Sequence, residues 1–373
     1  MNEDKATRYQ RLKRRASVVS LAWGLLFLAG LLATGGSIGL RAFAERLAGA
    51  PDAGFLHALA SRTLYLLLLG AINEAVTLPL ACYSGFLLEG RYGLSTETFR
   101  HWAWRYAKSL LIGAIFGLVA FQFVYAVLDR WPQQWWIITG AAFTAVTILL
   151  TNLGPVLLLP LFYRFTPLSR DALRARLVAL AVRAGVRVLD AFEWRLSDRT
   201  RKANAALTGL GRTRRILVSD TLLAEYSDDE IEMVLAHELG HHVHHDIWKG
   251  IAFETVLAFG GFYVAARLLS SFALAAGLRG AADIAGLPLL ALGATAVSLV
   301  FVPLANAVSR WHERLADRYA LELGGNAGAF ISAMRRLASQ NLAEEHPSLL
   351  ARILFYSHPP VTERIEAARR FIR

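Results

Sequence analysis

Six apolar stretches are the feature that most limits how this chain can fold. A helix needs about 20 apolar residues to cross the hydrocarbon core of a bilayer. Inside that core every backbone polar group must find an internal partner, so the spanning segments form a helical bundle. The sequence predicts a mainly α, polytopic membrane protein with about six transmembrane helices, and seven is the alternative. The stretches cover about residues 17–40, 62–88, 107–128, 135–162, 248–273 and 284–308.

Composition supports a membrane protein. The 373 residues are 55% hydrophobic and carry a formal net charge of +11. A basic chain can bind nucleic acid, but long apolar runs favour a membrane protein with a basic cytoplasmic side. We therefore expect membrane lipid and no nucleic acid among its partners. The single cysteine, Cys82, excludes an intrachain disulfide and a multi-cysteine zinc site.

Loop charges predict the orientation. The basic segments, the N-terminal arm, 89–108 and 164–247, fall on one side of a six-span bundle. The positive-inside rule places that side, with both termini, in the cytosol. We expect a bacterial inner membrane, or the endoplasmic reticulum if the chain is eukaryotic. Ala42-Phe43-Ala44 could end a cleavable signal peptide, but the preceding apolar run is too long, which favours a first transmembrane helix.

The motif His237-Glu238-Leu239-Gly240-His241 carries the chemistry. On a helix, residues i and i+4 lie on one face, so two imidazoles at this spacing can hold one metal ion. Glu238 is placed to act as a general base in such a motif. Ser227-Asp228-Asp229-Glu230 matches a capping box and predicts where the helix begins. A chance match in a chain of this length occurs in about one case in a hundred, so a third ligand is required.

Glu313 is the candidate third ligand, with Asp317 four residues later on the same helix face. Asp317 could hold a ligand imidazole by a hydrogen bond. Taken alone, this pair is more typical of a solvated helix face.

Together these segments resemble the integral-membrane zinc metallopeptidases of peptidase family M48, in particular the zinc-dependent (type I) CAAX prenyl proteases. The resemblance rests on His237–His241 followed by Asn306-x-x-Ser309-Arg310-x-x-Glu313-x-x-Ala316-Asp317. Further matching segments are 89–94, 159–168, 202–209 and 356–364. His242 stands where the family usually has Trp, and the short Ala/Arg/Leu-rich chain suggests a bacterial homologue.

The resemblance implies one zinc ion per chain, held by His237, His241 and Glu313 with a fourth position open to water. Glu238 would be the general base and acid. Asp317 would lie behind a ligand imidazole.

The resemblance also implies three residues that act on the substrate. Asn204 would lie on an edge strand that pairs with an extended peptide. His358 and Arg364 would stand near the metal and stabilise the oxyanion of the reaction. The bundle would enclose a water-filled chamber, which would account for Glu74 inside an apolar run.

Four parts of the chain are expected. They are an N-terminal bundle of four spans (1–163), a small α+β zincin-like cytosolic insert (164–247), two further spans (248–309) and a C-terminal helical part that completes the metal site (310–373). Within the insert, periodicity predicts a helix over 170–185 and strands over 191–196, 202–209 and 215–218.

The predicted function is a membrane-embedded zinc endopeptidase acting on a peptide or protein, with a prenylated protein as one candidate substrate. It would remove residues after a prenylated cysteine or degrade membrane proteins for quality control. The alternative is a non-enzymatic scaffold or quality-control factor with a structural zinc, which would need a fourth protein ligand. A site-2-type protease is disfavoured by the polar flanks of the motif, and a transporter by the lack of repeats. His242, His244 and His245 could form a second metal site, but a solvated face is the favoured interpretation.

Overall fold

Long helices dominate the N-terminal half of the chain. The computed structural model describes residues 4–49, 54–209 and 214–372. The first helices are α1 (Lys5–Ala33), α2 (Gly36–Leu47), α3 (Phe55–Cys82), α4 (Leu88–Arg91), α5 (Phe99–Arg130), α6 (Trp135–Leu157) and α7 (Leu159–Phe162). A π-helical turn, Tyr83–Leu87, joins α3 to α4.

The second half alternates a small sheet with further helices. Its strands are β1 (Phe165–Pro167), β2 (Asp190–Trp194), β3 (Ala205–Thr208) and β4 (Arg215–Ser219). Its helices are α8 (Asp171–Arg183), α9 (Asp220–Glu225), α10 (Asp228–Val243), α11 (Asp246–Phe272), α12 (Leu287–Gly324), α13 (Ala327–Gln340), α14 (Leu349–Phe355) and α15 (Val361–Ile372).

Six helical segments of the described chain are long and apolar enough to cross a membrane, which confirms the predicted number. They are Lys5–Ala33, Phe55–Arg91, Phe99–Arg130, Trp135–Pro155, Asp246–Phe272 and Ile284–Gly324.

The first apolar run is not one helix. α1 ends at Ala33, and Gly35 adopts a left-handed backbone (φ +69°) before α2 begins. Glycine reaches this conformation without steric cost, so the chain can turn sharply there. α2 has 12 residues and is about 18 Å long, which is too short to cross a bilayer.

The sheet has four strands in the order β1-β2-β4-β3. β2 and β4 are parallel, whereas β1 pairs with β2 and β3 pairs with β4 in antiparallel fashion. The strands predicted over 191–196, 202–209 and 215–218 are confirmed with shifted ends, and β1 was not predicted. β3 lies at the edge of the sheet, and no described strand pairs with its outer side.

The soluble domain has one hydrophobic core built from two distant parts of the chain. Leu173, Leu177 and Ile216 of the 164–247 segment pack with Phe330 and Met334 of the C-terminal part. Burial of apolar side chains in a common core makes these two parts one folding unit.

α12 connects the membrane bundle to that core. It has 38 residues and is therefore about 57 Å long, more than a bilayer requires. Its last turns bury Ala320 and Leu321 in the soluble core. Along α12, Glu313 lies between the membrane-spanning part and the turns that pack in the soluble core.

The helices enclose the predicted chamber, a cavity of about 890 Å³ between α1, α3, α5, α12 and α14. Its polar lining includes Lys13, Arg14, Ser17, Asn73, Thr77 and Tyr106. Glu74 accepts a 2.6 Å hydrogen bond from the hydroxyl of Tyr106. Asn73 and Thr77 of α3 line this cavity, and polar groups at membrane depth usually face a protein interior or a cavity in this way.

Candidate metal centre

α10 presents the two motif histidines on one face. Its capping box is present: Ser227 N–H donates to Glu230 Oε2 at 2.8 Å, and Glu230 N–H donates to Ser227 Oγ at 3.3 Å. This confirms the helix start predicted from the sequence. The inner face of the helix is buried in the soluble core, including Ile231 and Leu235. The core therefore fixes the rotation of α10, and with it the direction of His237 and His241.

Three side chains converge on one point beside α10. Nε2 of His237 and Nε2 of His241 lie 3.2 Å apart. Each of these nitrogens lies 3.3 Å from a carboxylate oxygen of Glu313 on α12. The candidate ligand atoms of the three residues all lie within 4.8 Å of one another. This set of two imidazoles and one carboxylate could hold a metal ion.

The chemistry of this cluster fits a zinc ion. Glu313 is only 5% exposed, and its Oε2 accepts no well-oriented hydrogen bond from any described residue, although Nδ1 of His358 lies 2.9 Å away. A buried carboxylate oxygen without a donor is costly unless a cation satisfies it. A His₂Glu set is a known donor set of catalytic zinc sites, which keep a fourth position open.

In each of the two imidazoles, a carboxylate contacts Nδ1, the ring nitrogen that faces away from the cluster. Nδ1 of His237 lies 2.9 Å from Asp317 Oδ1, and Nδ1 of His241 lies 2.9 Å from Asp246 Oδ2. A carboxylate at Nδ1 keeps a proton there, so the neutral form of the ring offers the lone pair of Nε2 to a metal. Both imidazoles are therefore oriented for metal binding before any ion arrives.

Arg364 is engaged with the same carboxylate that holds His237. It donates to Asp317 through Nε at 2.8 Å and also through Nη2. The same Nη2 lies 3.9 Å from Glu313 Oε2. The guanidinium thus fixes Asp317 and lies at the edge of the cluster.

Glu238 has no bonding partner among the described residues. Its carboxylate forms no hydrogen bond or ion pair with a described residue, and the side chain is partly buried next to the two imidazoles. Burial raises the pKa of Glu238, and the charges of His237 and His241 oppose that shift. A carboxylate of raised pKa without a partner suits proton transfer near neutral pH.

His358 reaches the cluster from the loop between α14 and α15. Its side chain is 62% exposed. The loop is anchored by buried Arg310 of α12, whose Nη1 donates to the carbonyls of Arg352 at 2.9 Å and Tyr356 at 2.7 Å. An exposed imidazole beside the ligands can contact a substrate.

Asn204 lies apart from the ligand cluster. It is exposed, directly precedes β3, and is held by Ser219: the Ser219 N–H donates to the Asn204 carbonyl at 2.9 Å, and the Asn204 N–H donates to the side-chain Oγ of Ser219 at 3.0 Å. β3 packs against α10. The structure therefore puts Asn204 on the open edge beside the motif helix.

Asp246 contacts His241 and lies near His312, and no sequence pattern predicted its place at the site. His245 adopts a left-handed backbone (φ +57°), and this turn brings Asp246 back to His241. Helical spacing could not reveal this contact, because α10 has ended before it. Nε2 of His312 lies 3.7 Å from Asp246 Oδ1, and its side chain is 12% exposed, so His312 is a further neighbour of this carboxylate.

The histidines that follow the motif take separate positions. The ring of His244 lies edge-on to Tyr319, with the centroids 5.6 Å apart. His245 forms the turn into α11. Among the described residues, the one group with metal-ligand geometry is His237, His241 and Glu313. The second-metal hypothesis thus has no cluster to support it.

Two family models match the chain. The model described as peptidase family M48 matches residues 167–372. The model described as the CAAX prenyl protease N-terminal region, with five membrane helices, matches residues 2–164. In that region the structure has four candidate spans and the short helix α2.

Curated relatives and a solved structure agree with these models. The uncharacterized metalloprotease YhfN of Bacillus subtilis is 32% identical over 94% of this chain and 81% of its own length. CAAX prenyl protease 1 of Saccharomyces cerevisiae is 32% identical over 81% of this chain and 71% of its length. The crystal structure of S. mikatae Ste24p superposes with a TM-score of 0.87 at 27% identity, covering 98% of this chain and 88% of that one.

Proposed function

The chain belongs to peptidase family M48, and from that premise we propose that it is a membrane-embedded endopeptidase that uses one zinc ion to hydrolyse peptide bonds. The observation that carries this proposal is the convergence of His237, His241 and Glu313 within 4.8 Å, next to an unengaged Glu238. Zinc-dependent hydrolysis requires three protein ligands that leave the fourth position open, and a nearby carboxylate of raised pKa that can accept a proton. A structural zinc would instead be closed by a fourth protein ligand.

Zinc held by these residues would supply Lewis acidity toward the peptide carbonyl and the attacking water. Protein side chains transfer the protons and orient the ligands. Glu238 takes a proton from the water and delivers it to the leaving amine. Asp317 and Asp246 keep the Nδ1 protons of the two ligand imidazoles in place, so that both Nε2 atoms face the same point.

The substrate is proposed to bind as an extended strand along β3. The outer edge of this strand pairs with no described strand, and the strand lies against α10. Strand addition gives backbone hydrogen bonds irrespective of sequence, and Asn204 at the start of the edge can donate or accept one more. Such pairing would place the scissile bond across the face of α10.

His358 is proposed to stabilise the developing oxyanion. Its exposed ring beside Glu313 can turn toward a substrate carbonyl and donate a hydrogen bond. Arg364 is proposed to act through Asp317, because both of its hydrogen bonds to a carboxylate go to that residue. His358 would therefore contact the substrate, and Arg364 would position the site.

The substrate class is proposed to be the C-terminal segment of a membrane-associated polypeptide, with a prenylated cysteine as the favoured anchor. The support is the likeness to CAAX prenyl protease 1 and the cavity of about 890 Å³ that extends to Phe355, three residues before His358. A lipidated peptide would enter such a chamber from the bilayer. Cleavage of unprenylated membrane proteins for quality control is the alternative within the same chemistry.

The metal centre is proposed to face the cytosol of a bacterial cell. The support is that Tyr9 of the N-terminal arm contacts Glu89 and Lys202, which lie in the two other basic segments. The positive-inside rule assigns a side rich in such basic segments to the cytosol. The similarity to a Bacillus protein favours a bacterial plasma membrane.

The proposal is tested with detergent-purified protein, wild type beside Glu238→Gln. The substrates are a farnesylated C-a-a-X peptide and its unprenylated twin. We expect one zinc per chain in both proteins and cleavage only by the wild type, since glutamine keeps the shape but cannot accept the proton. Glu225→Gln, an exposed change at the end of α9, serves as the matched control and should cleave normally.

Retained activity in Glu238→Gln, or a wild type without zinc, would refute the proposed chemistry. The ratio of the rates on the two peptides decides between the substrate classes. A strong preference for the farnesylated peptide supports the prenyl protease, and equal rates support general proteolysis.

A further inference from the structure

A basic cavity lies where the soluble domain meets the membrane-spanning helices. Its volume is about 280 Å³, and it shares no residue with the metal centre. Three segments form it: the first turns of α5, the chain leaving α6 and α7, and the loop after β2. The lining contains five basic side chains and two acidic ones. They are Arg105, Lys108, Arg164, Arg195, Arg199, Glu97 and Asp198.

Two of the basic groups already have partners. Arg105 forms a two-pronged ion pair with Glu97, at 3.1 Å through Nε and 2.8 Å through Nη2. Lys108 donates to the carbonyl of Leu161 at 3.3 Å. These contacts fix the wall of the cavity, and the excess positive charge comes from the remaining arginines.

Those arginines have donor groups without acceptors among the described residues. Arg164 and Arg195 form no ion pair with any described residue. Arg199 donates through Nη2 to the carbonyl of Phe162 and lies over the ring of Tyr163 at 4.5 Å. Its Nη1 is buried without a hydrogen-bond partner in the described chain. A buried charged donor left unpaired is unfavourable, so the geometry calls for an anion that accepts from Nη1.

The position of the cavity identifies the source of that anion. The candidate span in α6 ends at Pro155, and Phe162 and Tyr163 follow within a few residues. Trp104, in the wall, is 66% exposed, and Lys108 lies 5.4 Å from the centre of the Phe162 ring. Exposed tryptophan beside lysine and arginine is typical of the depth at which lipid headgroups lie.

We propose that this cavity binds the phosphate of an anionic phospholipid headgroup in the leaflet next to the soluble domain. The phosphate would accept from Nη1 of Arg199 and from Arg164 and Arg195. A cavity of about 280 Å³ holds a headgroup and leaves the acyl chains in the bilayer beside Trp104. Arg164 follows α7, Arg195 and Arg199 follow β2, and Trp104 lies on α5. A lipid bound there would therefore link the loop after β2 to the membrane helices.

The test uses the full-length protein in detergent, titrated with short-chain phosphatidylglycerol and followed by native mass spectrometry. We expect one tightly retained phosphatidylglycerol per wild-type chain. Phosphatidylcholine, which has the same phosphate but a cationic choline, should bind much more weakly. Arg164→Gln/Arg195→Gln should weaken phosphatidylglycerol binding about 25-fold, from about fivefold per removed charge near a headgroup.

Two variants guard against an effect on folding. Arg164→Lys/Arg195→Lys keeps both charges and should recover most of the binding. Arg187→Gln/Arg370→Gln removes two exposed charges outside the cavity and should bind as the wild type does. All variants should keep the wild-type melting temperature in lipid-free detergent.

Unchanged binding in Arg164→Gln/Arg195→Gln would overturn the proposal, and so would equal binding of phosphatidylcholine. Inorganic phosphate is titrated as a separate arm, because it presents the same chemistry from solution. Phosphate that binds as tightly as the lipid and displaces it would also overturn the lipid assignment. Phosphate that binds only at far higher concentration supports it.

Discussion

Gly240 of α10 and Ala316 of α12 bring two helices into direct backbone contact. A Cβ built on Gly240 would lie 2.9 Å from Cα and 3.2 Å from the carbonyl oxygen of Ala316. Gly240 directly precedes His241, and Ala316 lies between Glu313 and Asp317. This contact therefore sets the distance between the ligand imidazoles and the carboxylates opposite them.

Gly240→Ala is expected to reduce metal affinity. The new methyl group meets backbone, which cannot rotate away, so α10 and α12 must separate. Overpacking of this kind costs about 1–3 kcal/mol of stability, and the better helix propensity of alanine offsets up to about 1 kcal/mol of it. We expect a clear loss of zinc affinity in a competition titration with a chelator, together with a lower melting temperature.

Gly250→Ala is the matched control for that change. Gly250 lies in α11, and a Cβ there would meet nothing within 4 Å. It should bind zinc normally and be equal or slightly higher in stability. Wild-type zinc affinity in Gly240→Ala would show that the contact does not set the ligand geometry.

Local patterns in the sequence predicted much of this site. The capping box predicted the start of α10, and the i, i+4 spacing predicted the shared face of His237 and His241. The same spacing on α12 predicted that Glu313 and Asp317 would lie together. These relations depend only on helix periodicity, so they could be read without knowledge of the tertiary fold.

Other features depend on contacts between segments distant in sequence. The contact between Asp246 and His241 depends on the left-handed backbone of His245. The sequence has no glycine at this position that would indicate such a turn. The order of the strands and the sharing of one core by Leu177 and Phe330 come from tertiary packing. The break after Ala33 was hidden because apolar composition continues on both sides of Gly35.

Asp246→Asn is expected to weaken zinc binding about 10–100-fold, the usual cost of losing a carboxylate behind a ligand imidazole. The amide cannot hold the Nδ1 proton of His241 as a carboxylate does. Zinc affinity is measured by chelator competition. Asp171→Asn, in the exposed first turn of α8, is the control and should bind zinc as the wild type does. A loss of activity without any loss of zinc affinity would contradict this role.

Zinc binding is expected to release a proton from His237 at pH 8. Burial lowers the pKa of His237, but Asp317 and Glu313 outweigh it and raise the pKa to about 9 in the metal-free protein. Below that pH the metal-free imidazole is protonated, and a metal ligand must be neutral. Apparent zinc affinity should therefore fall as the pH decreases below about 9, and the proton release from His237 should vanish well above it.

Calorimetric titrations in two buffers of different ionisation enthalpy measure that proton release. Asp317→Asn removes the carboxylate that contributes most to the raised pKa of His237. This variant should therefore release fewer protons per zinc at pH 8 than the wild type. Equal release by the two proteins at pH 8 would contradict the assignment of the raised pKa to Asp317.

Arg310→Gln is expected to reduce the turnover number while zinc stays bound. Arg310 is 7% exposed and donates to the carbonyls of Arg352 and Tyr356, which hold the end of α14 and the loop that carries His358. Hydrogen bonds from a charged group contribute about 1.5–3 kcal/mol each, so their loss should release the loop and move His358 away from Glu313.

Arg314→Gln, one turn along α12, is the control. It removes an ion pair to Glu363 whose two side chains are 44% and 31% exposed, and it should leave turnover nearly unchanged. Steady-state kinetics with zinc analysis of each variant decides the matter: a wild-type turnover number in Arg310→Gln would show that the loop does not need this anchor.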